Sequence, residues 1–193
     1  MAGKKVLIVY AHQEPWSFNG SLKNVAVEEL TRQGCQVTVS DLYAMDFEPR
    51  ATRRDITGAL SYPKRFSYAV EAYEACRKGS LARDIMDEQR KVQEADLVIF
   101  QDKLSLLSLT TGGTAEMYSK TGVSGDFRYF LWPLQHGALH FCGFKVLSDQ
   151  ISFAPESASE EERKKMVASW AQRLKSIWKE EPINCTSPWY FGE

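Results

Sequence analysis

A buried strand, a helix and a second strand follow one another within the first 40 residues, and that order strongly limits how the chain can fold. Lys5 to Ala11 (KVLIVYA) is a continuous apolar run rich in β-branched residues, the pattern of a strand covered on both faces. A loop, His12 to Gly20, leads into a helix with Leu22, Val25, Ala26 and Leu30 along one side. Gly34 ends that helix in the position of a left-handed cap. Gln36 to Ser40 is the second strand. A strand–helix–strand unit crosses over in the right-handed sense, so both strands belong to a parallel sheet.

The same alternation continues, with one defect. Phe47 to Arg50 and Tyr62-Pro63 read as loop, Phe66 to Lys78 as a helix, and a further helix from about Asp84 to Glu94 feeds the buried strand Leu97 to Phe100. Leu104 to Leu109 is another strand and Lys145 to Phe153 the last. Arg128 to Cys142 can be helical only with strain, since Pro133 and Gly137 interrupt it. Ser159 and Glu162 form a capping box for a final helix burying Met166, Trp170, Leu174 and Trp178. The tail Pro188 to Phe191 is apolar enough to pack on the body or on a partner subunit. This is the doubly wound, flavodoxin-like α/β order in a single domain spanning 1–193. Between the strand ending at Gln101 and the one starting near Leu104 stand only Asp102 and Lys103. Parallel neighbours need a crossover of about a dozen residues, so the expectation is a hairpin or a continuous strand, with one crossover missing at Asp102.

Composition removes several classes. The 193 residues are 44% hydrophobic and 25% charged, with 24 Lys and Arg against 25 Asp and Glu, which is ordinary for a globular chain. A net charge of -1 gives no basic surplus for nucleic acid and no field directed at an anionic membrane. The longest uncharged stretch, Tyr129 to Phe144, is too short and too polar to span a bilayer, and Val6 to Ala11 is too short for a signal-peptide core. The expectation is a cytoplasmic protein whose Cys35, Cys76, Cys142 and Cys185 stay reduced and whose sequons at Asn19 and Asn184 stay unmodified.

Three groups of residues could carry chemistry. Ser17, Phe18, Asn19, Gly20 and Ser21 sit at the carboxyl end of a parallel strand and at a helix N-terminus, where small hydroxyls, amide groups and the helix dipole suit a phosphate. The same residues also suit an ordinary capped turn. Thr110, Thr111, Gly112 and Gly113, followed by Tyr118, come after another buried strand, with two glycines that let a flat ligand approach the backbone. Both loops lie on the edge where open α/β sheets bind ligands. Neither matches a dinucleotide or a nucleoside-triphosphate fingerprint, which favours a flavin. His136 and His140, four apart, with Cys185 much later, have the spacing of zinc ligands. The residues alone favour satisfied core histidines, because this spacing arises readily by chance. No Ser-His-Asp hydrolase pattern is present.

Four stretches together, VLIVYAHQEP at 6–15, SFNGSL at 17–22, TTGGTAEMY at 110–118 and RYFLWPLQHG at 128–137, resemble the NAD(P)H quinone dehydrogenase family. The resemblance extends from Met1 to Glu193. It implies a flavodoxin-like homodimer that holds FAD and reduces small-molecule quinones by two electrons in a ping-pong cycle. The implied hydride donors are of the dihydronicotinamide riboside type. It further implies that His12 and Phe18, Asn19, Gly20 and Ser21 bind the FAD pyrophosphate and ribityl chain. Thr110, Thr111, Gly112 and Gly113 would hold the isoalloxazine edge beside Tyr118, with Glu156 and Arg163 as further FAD contacts. Tyr118 and Ser124 would be the catalytic pair, Met117 and Phe141 would face the substrate, and His136, His140 and Cys185 would hold zinc or copper.

Two departures from the family pattern are visible. Relatives carry histidine or asparagine where this chain has Ser124, and serine has less reach. They also carry roughly forty residues where this chain has only Asp102, which is the crossover that topology finds missing. A clean internal loss between intact flanks looks like a splice variant. It implies weakened turnover or, alternatively, a non-catalytic shortened form that dimerises with the full-length enzyme and modulates it.

Overall fold

A computed structural model describes residues 3–99, 104–141 and 144–191. Its sheet contains β1 (Lys5–Tyr10), β2 (Gln36–Asp41), β3 (Leu97–Ile99), β4 (Leu104–Leu106) and β6 (Lys145–Val146), in the order β2-β1-β3-β4-β6 with every pairing parallel. A further parallel pair, β5 (Ser108–Thr111) with β7 (Gln150–Phe153), continues the last two strands. Across the break the ladder is carried by Leu147 N–H to the Ser105 carbonyl at 2.7 Å and by Gln150 N–H to the Leu107 carbonyl at 2.8 Å.

Helices cover both faces. On one, α1 (Phe18–Arg32) and α5 (Glu160–Ser176) bury Leu22, Ala26 and Leu30, together with Trp170 and Leu174, against Val6, Ile8, Leu97, Ile99 and Leu106. The Trp170 indole N–H donates to the Leu22 carbonyl at 3.1 Å and ties the two helices. On the other face lies α3 (Arg83–Glu94), with Leu7, Val98 and Ala95 beneath it, and α2 (Tyr68–Lys78) precedes it in the chain. A third cluster gathers Leu107, Leu131, Leu139, Val146 and Tyr190 around α4 (Phe127–Trp132) and α6 (Ser187–Phe191).

Several expectations hold in detail. Gly34 has φ +82° and follows α1. Ser159 and Glu162 make the reciprocal capping box at the start of α5. Tyr190 in the tail is fully buried. Met166 and Trp178, expected in the core, are only half-buried.

Others are corrected. β3 and β4 are parallel neighbours, with Val98 opposite Ser105 and Ile99 opposite Leu106, so the pair forms neither a hairpin nor one continuous strand. The strands are three residues each, so the return path is short. Asp102, Phe100 and Gln101 themselves lie outside the described residues, as does Cys142. Thr110 and Thr111 are strand residues rather than loop, and the last strand is broken at 147–149. The chain from Phe127 stays helical past Pro133 because Pro133 opens a π-helical segment, Pro133–His140. There the Phe141 amide reaches back five residues to the His136 carbonyl at 3.2 Å. These wider turns need no bond from the proline nitrogen.

Candidate functional site

The loop after β1 is built by its own side chains. Tyr10 donates its hydroxyl to the Glu14 carbonyl at 3.2 Å, and the Glu14 amide donates to His12 Nδ1 at 3.0 Å. The same Nδ1 lies 3.2 Å from the Glu14 carbonyl oxygen, so both backbone groups of Glu14 face the His12 ring. The Ser17 hydroxyl lies 3.3 Å from the same Nδ1 and accepts from the Gly20 amide at 3.2 Å, capping α1. Gly20 has no room for a side chain, since a Cβ there would fall 2.0 Å from the Pro15 carbonyl oxygen. A glycine so constrained shows that the turn is shaped for close approach as well as capped.

The second loop leaves β5 beside the first. Asn19 Nδ2 donates to Thr110 Oγ1 at 3.4 Å, so the two expected flavin loops touch. The Thr111 hydroxyl donates to the Gly113 carbonyl at 2.9 Å and closes the turn. A Cβ at Gly112 would meet nothing within 4 Å, which leaves that backbone open on one side. At Gly113 a Cβ would lie 2.9 Å from Tyr118 Cε2 and 3.0 Å from Met117 Sδ, so the glycine seats both side chains against the turn. Tyr118 also packs edge-on to Phe130 and tilted on Phe153, each at 5.9 Å between ring centroids.

Beside the first loop opens a cleft of about 180 Å³, walled by Ile8, Ile99, Leu106 and Trp170, rimmed by His12 and Asn19, and bordered by Ser108 and Leu109 of β5, just before the second loop. Ligand sites in open α/β sheets lie at this carboxyl edge. The pieces suit a flavin: a capped helix start for phosphate, an open glycine turn for a flat ring, and an apolar cleft beside the helix start.

The remaining expected residues fall further out. Ser124 is exposed, and its amide donates to the Met117 carbonyl at 2.9 Å. Arg163 spends its guanidinium on the Pro155 and Ala158 carbonyls, at 3.3 and 2.5 Å, so it braces the turn holding the exposed Glu156. Met117 and Phe141 are 38% and 84% exposed. Tyr129 and Phe130 are likewise apolar side chains exposed in the single chain.

The expected metal set is not assembled. His136 and His140 stack at 5.7 Å between ring centroids, and His136 Nδ1 lies 2.8 Å from the Cys185 carbonyl. The Cys185 thiol instead sits in the core beside Leu139 and Tyr190, 3.8 Å from the Tyr190 hydroxyl oxygen, and is pushed up in pKa by burial. Among the described residues no three His, Cys, Asp or Glu side chains are placed to hold a metal ion.

Sequence reasoning missed Lys23, which lines the cleft. It stands four residues after Asn19, a spacing that puts both on one side of α1, and this was legible. It also missed Gln135, fully buried, whose amide donates to both oxygens of Asp149 at 2.7 and 2.8 Å while its carbonyl accepts from Tyr190 at 2.9 Å.

A family model described as a flavodoxin-like fold matches residues 4–102 and 100–174. A curated relative from Pongo abelii, ribosyldihydronicotinamide dehydrogenase [quinone], is 67% identical over 231 residues, covering 100% of both chains. The chain belongs to the flavodoxin-like NAD(P)H dehydrogenase (quinone) family. The family's NAD(P)H dehydrogenase [quinone] 1 from Cavia porcellus is 40% identical over 93% of this chain and 79% of its own length. A Klebsiella pneumoniae crystal structure, solved as a candidate quinone reductase, superposes with a TM-score of 0.87 at 30% identity. It covers 94% of this chain and 87% of that one. The 231 aligned positions against 193 residues here leave 38 without a counterpart, and the family match breaks in two at residues 100–102. No helix among the described residues is long and apolar enough to cross a membrane.

Proposed function

We propose that this chain is an FAD-dependent quinone reductase, acting in the cytoplasm as a homodimer of one flavin-holding domain, 1–193, with turnover reduced by its shortened middle. The observation that carries this reading is the contact of Asn19 with Thr110, which brings the start of α1 and the end of β5 together beside a cleft at the carboxyl edge of the sheet. The chemistry the flavin supplies when bound is two-electron transfer from a dihydronicotinamide riboside-type donor to a quinone, in ping-pong order. The chain's residues position and shield. His12 and the first turn of α1, Phe18 to Ser21, hold the phosphates; Thr110 to Gly113 present backbone to the ring; Glu156 and Arg163 shape the outer end. Tyr118 and Ser124 offer hydroxyls at the reacting edge, while Met117 and Phe141 face the substrate. Zinc or copper at His136, His140 and Cys185 forms no part of this reading, because that set is not assembled.

Reduced turnover follows from the same geometry. Hydride transfer needs reacting atoms held about 3–3.5 Å apart in a dry pocket. The 38 positions absent here remove chain immediately after β3, at the edge where the cleft opens. Purified protein reconstituted with FAD is expected to be yellow and to reduce menadione with a dihydronicotinamide riboside, more slowly than a relative carrying the full segment. A colourless preparation after reconstitution refutes the reading.

The exposure of Phe141, Phe130 and Tyr129 favours a second reading, in which this surface pairs with a full-length subunit and modulates it without turning over. Co-expression and size exclusion test it, and the absence of mixed dimers ends it.

A further inference from the structure

We infer that Lys23 is a phosphate-binding residue of the flavin site, pairing its ammonium with the cofactor's pyrophosphate. Its place in α1 puts it one turn beyond Asn19, on the side facing the sheet, where it lines the cleft together with Asn19 and His12. Its Nζ sits 4.6 Å from the centroid of the Tyr10 ring, and Tyr10 is buried and fastened by its hydroxyl to Glu14. The ammonium is therefore held against an aromatic face at the mouth of the cleft.

Charge decides what such a group is for. Lys4, Lys5, Lys91 and Lys164 all pair with carboxylates. Among the described residues Lys23 pairs with none, although it is half-buried. A cation withdrawn from water without a counter-ion is costly unless a ligand supplies one, and a cation–π contact offsets only part of that cost. Lys23 and His12 are the only basic side chains lining the cleft among the described residues, and Asn19 brings no charge. An anion at this mouth would meet the positive end of α1 and the Lys23 ammonium together. The apolar walls below suit the uncharged part of the same ligand and reject a second charge.

This inference rests on the flavin reading above, and its test keeps the two apart. Affinities of the parent chain, Lys23→Met and Lys23→Arg for FAD and for riboflavin, which lacks phosphate, are measured by quenching of flavin fluorescence at low and high salt. Lys23→Met is expected to weaken FAD about 10-fold or more at low salt, the scale of a hydrogen bond to a charged group, while leaving riboflavin within about 2-fold. It should also flatten the salt dependence of FAD binding, and Lys23→Arg should restore most of both. A parent chain that binds FAD, with Lys23→Met binding it equally well, overturns the inference alone. So does an equal loss of FAD and riboflavin, which would mean that Lys23 acts by packing on Tyr10. A parent chain that binds neither flavin overturns the flavin reading and this inference with it.

Discussion

Replacing Gly20 by alanine sets two physical effects against each other, and the structure says which wins. Gly20 is the third residue of α1, and alanine in a helix is ordinarily favoured over glycine by about 0.8–1.0 kcal/mol. On propensity alone Gly20→Ala stabilises. The Cβ it adds, however, would lie 2.0 Å from the Pro15 carbonyl oxygen and 2.9 Å from that carbonyl carbon. These are backbone atoms, so no rotamer change relieves the contact. Either the Pro15 peptide or the first turn of α1 must move by about an ångström or more. That movement strains the Ser17 cap on the Gly20 amide, 3.2 Å, and the Ser17 amide bond to Glu14, also 3.2 Å. Losing such a cap costs about 1 kcal/mol, and overpacking typically adds about 1–3 kcal/mol. Set against the propensity gain, the net loss is about 1–3 kcal/mol, with weaker FAD binding because the displaced turn is the proposed phosphate cradle. Gly137 is the control. It too is helical, yet a Cβ there meets nothing within 4 Å. Gly137→Ala should stabilise by about 0.5–1 kcal/mol. Urea unfolding of both variants without flavin, followed by FAD titration, measures the contrast. A Gly20→Ala protein as stable as its parent would show that the close approach of Pro15 does not shape the loop.

Three further outcomes follow from the packing. Burial pushes the Asp149 carboxyl up to about 6 despite the two bonds from Gln135. The folded state thus binds the proton more tightly than the unfolded one, and stability falls as pH rises from about 4 through 6, then levels. Asp149→Asn should remove that slope in a pH series of thermal melts and leave stability unchanged or higher above pH 6; an identical slope excludes Asp149 as its source. Tyr190→Phe strips the donor from the buried Gln135 carbonyl and should cost about 1–3 kcal/mol by urea unfolding, whereas a cost near zero would mean the buried amide has found another partner. Ser159→Ala breaks the capping box of α5 and should cost about 1 kcal/mol, checked by the same unfolding experiment; no change would mean the Glu162 bonds alone hold the cap.

How much of this could be read in advance depended on whether the deciding forces were local. The strand at Lys5 and the helix ending at Gly34 were legible because burial and capping write themselves into adjacent residues. So was α5, whose capping box needs only Ser159 and Glu162. The two proposed ligand loops were legible as turns with glycines, but not the contact from Asn19 to Thr110, which joins residues 91 positions apart. That α-helical bonding stops at Pro133 was legible, but not that the chain goes on as a π-helical segment, whose wider turns depend on packing beyond the local residues. The histidine pair gave the right neighbours, while the metal set that the resemblance implied with Cys185 is not assembled among the described residues. Spacing says which side chains share a face, and only the packing of Tyr190 and Leu139 says where the thiol goes.

The parallel pairing of β3 and β4 was illegible for a different reason. The rule that parallel neighbours need a long crossover assumes strands of ordinary length. Here each contributes three residues, and the direction of each is set by its outer neighbour, β1 on one side and β6 on the other. The seam itself rests on Val98 with Ser105 and Ile99 with Leu106, against six paired positions between β1 and β2. It also buries the Ser105 hydroxyl with no hydrogen-bond partner among the described residues. So slight a seam cannot be what keeps the two halves of the site together. That work falls to the opposite layer, where α1 from the first half meets α5 from the second. Trp170 donates to the Leu22 carbonyl, and the Gln33 amide donates to the Leu174 carbonyl at 3.0 Å. Leu22 is one turn beyond the residues that cap and open the first ligand loop, so the contact that joins the halves also fixes the cleft. A chain shortened in the middle of its sheet can thus retain its loop geometry, because that geometry depends on a helix pair the shortening does not touch.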